Sequence, residues 1–269
     1  MLCISTASQE DTASYWLNKG NESLEEALNG SQNQTDRELI LHRALQEYDE
    51  AIELDQQSSL AWYKKGEILI ELARFDEVLP CLNKSLEINP QYADAWHHKG
   101  KILTAMGMYE EAVQAYNQSV LINPRLVDAW YMMGGTLSEL GRFEEAVGSY
   151  DMAIEADPKL AKAWLEKGGA LKAIGRKDEA NQSLARAIEL YDEALRLDPR
   201  DTSAWFGKGA ALYSQGAYED SLQYFERASE IAPRNYRPWY YKGLSFKALG
   251  RESEAEAANG RARELGFQV

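Results

Sequence analysis

An all-α fold of stacked helical hairpins is predicted by three periodicities in this sequence. All seven tryptophans form one series, Trp16, Trp62, Trp96, Trp130, Trp164, Trp205 and Trp239, spaced by 46, 34, 34, 34, 41 and 34 residues. A glycine follows each by four residues (Gly20, Gly66, Gly100, Gly134, Gly168, Gly209, Gly243). A second glycine series stands at Gly107, Gly141, Gly175, Gly216 and Gly250, with Ala73 in the matching slot. Pro90, Pro124, Pro158, Pro199 and Pro233 each precede the next tryptophan by six residues. Self-similarity at such a period marks units that bury their apolar faces only by stacking on neighbours.

Residues 128–158 show what one unit does. Trp130, Met133, Leu137 and Leu140 form an apolar stripe at helical spacing. Gly141 ends that helix, because glycine tolerates the positive φ of a C-terminal cap. Phe143, Ala146, Val147, Tyr150, Ala153 and Ile154 form a second stripe at i, i+3, i+4, i+7. Asp157-Pro158 stops it, since proline disfavours helix at the preceding residue. Gly134 and Ala146 are small where two antiparallel helices should approach closely, and Trp130 and Tyr150 should fill the flanks.

The pattern W-x-x-x-G…G-x-[FY]-x-x-A…[YF]-x-x-[AS]…P at a 34-residue period resembles the tetratricopeptide repeat family, from about Ala13 to Leu265. The resemblance implies a right-handed α-solenoid of seven antiparallel helix pairs whose first helices line a concave, peptide-binding groove. In order, the expected repeats span 13–58, 59–92, 93–126, 127–160, 161–201, 202–235 and 236–269, after a flexible tail at 1–12. Repeat one carries twelve extra residues: its first helix should run through Leu24, Ala27 and Leu28 to Gly30, and Thr35-Asp36-Arg37-Glu38 reads as a capping-box start for the second. Pro80 in repeat two predicts a kink or a late helix start. Repeat five has seven extra residues in its second helix. Seven is nearly two turns, so Ala180-Leu184-Ala187 and Ala187-Tyr191-Ala194 keep one seam; the extension is either a tolerated heptad or a projecting docking ridge. In the last helix Asn259, Glu256 and Arg263 replace apolar residues, as expected where no neighbour follows.

Composition narrows the function. The chain has 269 residues, 43 acidic against 29 basic, for a net charge of −14. Such a surface repels phosphate backbones, so neither nucleic acid nor anionic membrane is expected as the main partner. Cys3 and Cys81 lie far apart and offer no ligand spacing. The start, MLCISTASQEDTAS, lacks the basic and apolar regions of a secretory signal, so a cytoplasmic protein is expected. There is no Gly-rich phosphate loop, nucleophile elbow or paired catalytic cysteine; no enzyme and no cofactor are expected. Asp94 and His98 are spaced i, i+4 and could ligate a metal, with Asp128 as a third ligand. The simpler reading places His97 in a row of groove-facing, often aromatic residues.

By the resemblance, the groove is lined early by Tyr63, Glu67, Asp94, His97, Lys101, Asp128 and Tyr131. Later it is lined by Lys162, Lys172, Phe206, Tyr213, Arg237, Tyr240, Tyr241 and Lys247. An acidic half thus grades into a basic, aromatic half, and a protein or peptide partner with an acidic segment is expected there. The family's carboxylate clamp for chaperone tails is not matched, because its lysine and asparagine positions are filled by other residues. A self-associating subunit is the second reading, and a metal-binding protein a remote third; the oligomeric state stays open.

Overall fold

A computed structural model of the chain describes residues 12–30 and 33–267. Among these residues are fourteen α-helices and no strand: α1 (Ala13–Asn29), α2 (Gln34–Leu54), α3 (Ser59–Glu71), α4 (Phe75–Ile88), α5 (Ala93–Ala105), α6 (Tyr109–Ile122), α7 (Val127–Glu139), α8 (Phe143–Ala156), α9 (Ala161–Ala173), α10 (Lys177–Leu197), α11 (Thr202–Gln215), α12 (Tyr218–Ile231), α13 (Tyr236–Ala248) and α14 (Glu252–Glu264). Two compact units meet in sequence between Arg125 and Leu126. In each, consecutive helices pair as hairpins, and the second helix of one hairpin packs on the first of the next. In the second unit the first helices also touch in the order α7, α9, α11, α13. No described helix is long and apolar enough to cross a membrane.

Each hairpin closes on a small residue facing a large one. A Cβ added to Gly134 would lie 2.6 Å from the Tyr150 ring. The pairs Gly20–Tyr48, Gly100–Tyr116 and Gly209–Phe225 repeat this fit at 2.6, 2.6 and 2.8 Å. These four rings are fully buried, each contributing about 2–3 kcal/mol of apolar transfer. Gly168 meets Leu184 and Gly66 meets Leu82 in the same way.

In the hairpins from α3–α4 to α13–α14 the turn is made by a left-handed residue. Gly107, Gly141, Gly175, Gly216 and Gly250 adopt φ between 73° and 85°. Ala73 adopts 55°, alone among the described non-glycine residues in having positive φ. The residue after the turn bonds five back, as in Met108 N–H to Leu103 O (2.9 Å) and Arg74 N–H to Leu69 O (2.9 Å). Arg74, Arg142, Arg176 and Arg251 then open the second helices, each gripping a glutamate three residues on (Glu77, Glu145, Glu179, Glu254).

Between hairpins, the side chains of Asn89, Asn123, Asp157 and Asp198 accept the N–H two residues on, bracketing the proline. The proline carbonyl then accepts the indole N–H six residues later: Trp96 to Pro90 (2.9 Å), Trp164 to Pro158 (3.1 Å) and Trp205 to Pro199 (3.0 Å). That bond spans the same six-residue interval in these three repeats. Lysines one turn further on bridge successive hairpins, Lys65 to Asp49, Lys167 to Asp151 and Lys208 to Asp192 at 2.5 Å each, and Lys242 to Glu226. In repeat three the equivalent acid is Asn83, and burial lowers the pKa of Lys99.

Some local expectations are revised. α2 starts at Gln34, not at Thr35: Asn33 is extended, and its Oδ1 accepts the Asp36 N–H at 2.8 Å, so the earlier residue takes the cap. α4 starts at Phe75 and runs through Pro80; the proline is exposed, so the helix tolerates the bond it removes, and no late start occurs. α10 is one helix of 21 residues, and its extra turns do not simply project. Leu190 and Tyr191 are buried, and Ile188, Ala194 and Leu195 pack against the cluster that holds Tyr191. In α14, Glu256 and Arg263 face solvent and pair at 2.5 Å, while Ala255, Ala258 and Ala262 are buried. Thr12 caps α1 through the Tyr15 N–H; the rest of the expected tail, 1–11, lies outside the described residues.

Two outcomes follow for stability. Ala73→Gly should raise the free energy of unfolding by about 1 kcal/mol, by removing a left-handed alanine. Gly134→Ala should lower it by about 1–3 kcal/mol, because the new methyl overlaps the Tyr150 ring. Urea denaturation reads both, and opposite signs for the two changes are required. Burial also pushes the Tyr116 phenol from 10.0 up to about 12 and raises Tyr48 and Tyr150 further. Keeping these phenols neutral favours the fold fully below pH 10, and this contribution fades as pH rises toward 12. Tyrosinate absorbance from these rings should therefore appear together with loss of helical circular dichroism, not before it.

Candidate functional site

In the first unit two of the expected groove residues, Tyr63 and Glu67, engage each other, and His97 is buried. Tyr63 is 5% exposed; its hydroxyl donates to Glu67 Oε1 at 3.0 Å, and its ring lies 4.7 Å from that of Tyr92. Lys64 pairs with the other Glu67 oxygen at 2.6 Å. His97 is 7% exposed and sits 6.0 Å from the Tyr116 ring. Tyr63 and His97 are therefore packing residues beneath the surface, where ring burial outweighs exposure to a groove. Asp94 and Lys101 are exposed. The His98 Nδ1 donates to the main-chain carbonyl of Asp94 at 3.0 Å, not to its carboxylate. Burial lowers the His98 pKa against the effect of that bond. Among the described residues no three His, Cys, Asp or Glu side chains converge as a metal site requires.

The second unit is different. Tyr131 from α7, Lys162 from α9, Phe206 from α11 and Arg237 from α13 line one cleft of about 420 Å³. The four come from successive first helices that lie side by side, which is how residues 106 positions apart reach one hollow. Lys162 Nζ stands 4.3 Å above the Tyr131 ring and 3.6 Å from Asp128 Oδ1. The Arg237 guanidinium lies 4.6 Å over Phe206. Phe206 also joins an aromatic cluster, with Tyr241 edge-on at 5.1 Å and Tyr241 in turn 6.0 Å from Tyr213 and 5.7 Å from Tyr240. Tyr240 stacks on Phe267 at 4.4 Å.

Lys172 and Lys247 do not line this cleft. Lys172 Nζ donates to the Ser214 carbonyl at 2.6 Å, satisfying the last turn of α11; Lys247 is exposed in the last turn of α13. Both therefore sit at helix C-termini, where cations complement the dipole.

Glu166 and Tyr191 are among the lining residues outside the expected set, as is Lys159. Glu166 follows Leu165 on α9 and is reached by solvent, yet the surrounding protein desolvates it. Its carboxyl pKa is raised by that desolvation and held back by Arg237. The Tyr131 phenol is pushed up to about 12 by burial and then by Glu166, against Arg237. Tyr241 is raised by the same causes. Tyr191 comes from the extra turns of α10, and its ring lies over Gly207, where a Cβ would meet Cζ at 2.3 Å. The signal was present in the Ala187-Tyr191-Ala194 seam and in a glycine two residues before the regular Gly209, but only the fold joins them.

Models of the tetratricopeptide repeat match residues 60–92, 93–126, 131–186 and 180–236, well over half of the chain. No curated protein matches the sequence. Among solved structures, the chain is similar to a tetratricopeptide repeat protein from Parabacteroides merdae ATCC 43184, with 17% identity, TM-score 0.68, and 93% of this chain and 94% of that one covered. It is also similar to pilF of Pseudomonas aeruginosa (20%, TM-score 0.55, 79% and 93%). A third is YrrB, described as a protein of this repeat type with an unusual peptide-binding site (22%, TM-score 0.52, 72% and 97%).

The Gly207–Tyr191 fit yields a check. Gly207→Ala should cost about 1–3 kcal/mol of stability, and Tyr191→Leu in the same chain should recover most of it. Thermal melts of the single and double variants measure the coupling; additive losses would mean that the ring does not depend on the glycine.

Proposed function

This chain belongs to the tetratricopeptide repeat family, and on that premise we propose that it is a non-enzymatic interaction scaffold whose second unit holds an extended peptide segment in the cleft of Tyr131, Lys162, Phe206 and Arg237. The observation that carries this reading is the convergence of two aromatic rings and two cations from the first helices of four successive hairpins on one solvent-open hollow. Its size lies in the range of about 300–1,000 Å³ typical of ligand sites. Tyr131 and Phe206 offer rigid contact area at low entropic cost, as interface anchors do. Lys162 and Arg237 supply charge for acidic side chains of the partner, and steer it against a chain of net charge −14.

Lys162 already has Asp128 nearby, but that pair is exposed and spans 3.6 Å; pairs of this kind are worth about 0–1 kcal/mol and yield readily to a ligand carboxylate. Arg237 carries more of the proposed recognition, since it approaches no carboxylate within ion-pair distance among the described residues and rests on a ring that orients it.

The test is retention of soluble proteins from the source cell on immobilised full-length chain, beside a Tyr131→Ala, Arg237→Glu variant of unchanged helicity. A partner should be held at modest salt, released as salt rises, and held at least about tenfold more weakly by the variant, equivalent to 1.4 kcal/mol. Equal retention by both, or binding indifferent to salt, would remove the cleft from the account.

A further inference from the structure

We propose that the hairpin of α5 and α6 carries a second docking site, for a segment of a partner protein that presents an acidic side chain to Lys99 and a basic side chain to Glu111. The site stands on residues of the first unit alone and goes beyond the cleft proposed above.

The first support is that two regular ion pairs are both missing from this hairpin. Lys65, Lys167 and Lys208 each meet an aspartate sixteen residues earlier at 2.5 Å, and Lys242 meets Glu226 in the same way. Lys99 belongs to that series, but Asn83 stands where its acid would be. At the start of the second helix, Arg74, Arg142, Arg176 and Arg251 each hold a glutamate three residues on. Met108 takes the arginine's place before α6, with the same backbone (φ −87°, ψ 65°, against −86° and 60° at Arg142). Glu111 therefore lacks its cation. Among the described residues neither the Lys99 nor the Glu111 side chain has an ion pair or a hydrogen bond.

The second support is that both residues line one hollow, of about 580 Å³, between α5 and α6. They are the charged residues of its lining, one of each sign. A segment of single sign would be attracted by one and repelled by the other, so the complementary surface carries both signs. The rest of the lining suits a protein partner. Trp96, Leu103 and Ala115 offer apolar contact, and Lys99 Nζ stands 5.1 Å from the Trp96 ring centre. Gln114 and Gln118 are exposed amides, able to donate and to accept. Because the hollow opens to solvent, a partner broad enough to cover it is needed to exclude water and strengthen both charge pairs.

The third support is a comparison within the chain. Burial lowers the pKa of Lys99. At Lys208, desolvation acts in the same direction but is outweighed by the bonds to Asp192 and Tyr224, and the pKa is raised. A partner carboxylate would supply to Lys99 what Asp192 supplies to Lys208.

The test restores the missing pairs and leaves the lining intact. Asn83→Asp gives Lys99 an acid, Met108→Arg gives Glu111 a cation, and the chain with both changes should melt no lower than the native one. A phage-displayed library of random dodecapeptides is panned on the full-length Tyr131→Ala, Arg237→Glu chain, in which the second-unit cleft is disabled, after depletion on that chain with both pairs restored. Selected peptides should carry an acidic and a basic residue at one fixed separation. A synthetic consensus peptide should bind the native chain at least about tenfold more tightly than the restored chain. Lys99→Met and Glu111→Gln, which remove the charges directly, should each weaken it by a similar factor. Converting its acidic residue to the amide should weaken binding to the native chain and cost nothing further on Asn83→Asp. Converting its basic residue to norleucine should do the same with respect to Met108→Arg. Equal binding to native and restored chains, a consensus with charge of one sign only, or no enrichment over an uncoated surface would overturn the site. So would a sedimentation coefficient that rises with concentration for the native chain and not for the restored one, since the occupant would then be a second copy. The second-unit cleft is tested separately, because its variants leave residues 83, 99, 108 and 111 unchanged.

Discussion

Every hairpin of this chain depends on one steric constraint, the pairing of a residue without a side chain on the first helix with a ring or branched side chain on the second. With a Cβ on Gly134 only 2.6 Å from the Tyr150 ring, there is no room for alanine unless the helices part. Close approach lets the rings of Tyr48, Tyr116, Tyr150 and Phe225 fill the hairpin interior completely, and tight packing is where stability per residue is gained. The spacing of everything else follows. From α3 onward a left-handed residue stands seven positions after that glycine; the chain then returns, and the second stripe is in register with the first.

The heptad in α10 shows how far that constraint can be reused. Seven residues bring a helix back to nearly the same face, so the added turns present Tyr191 where a second large residue fits the seam. It finds Gly207 on the next hairpin, and Phe225 finds Gly209 on the same helix. Two glycines two residues apart lie on different sides of α11, so this helix is approached closely from both its neighbours. Insertions in repeat proteins are usually accommodated as loops on one face. Here the insertion is absorbed into the packing, and its by-product is a hollow lined by a ring from α10.

Much of this was legible in the sequence. The tryptophan, glycine and proline series located the hairpins because each residue type answers a backbone or packing need that recurs. The six-residue proline-to-tryptophan interval was visible without the indole bond to the proline carbonyl that spans it in three repeats. The inter-hairpin bridges were equally present, as a lysine sixteen residues after an acid, but they couple two different repeat positions and do not show when each position is read in its own column. The site was less legible. A position-by-position reading treats Tyr63, His97 and Tyr131 alike, whereas Tyr63 and His97 sink into the packing and Tyr131 borders the cleft. Glu166 could not be singled out, because a carboxylate on an amphipathic helix is solvated by default; its surroundings are contributed by α7, α10, α11 and α13.

Net charge is a poor guide to such a surface. Of the basic residues in the second unit, Lys167, Lys208 and Lys242 are committed to bridges between hairpins. Arg142, Arg176 and Arg251 are committed to the starts of second helices, and Lys172 to a helix end. These pairs are largely neutralised locally and screened beyond about 10 Å. What is left is the remainder, and in the cleft that remainder is small: Arg237 on its ring, Lys162 in a loose pair, and Lys159 and Glu166 with no ion pair among the described residues. In the scaffold proposed above, recognition would be set by where these few uncommitted charges stand relative to aromatic walls, and the −14 of the whole chain would act mainly on the rate of encounter.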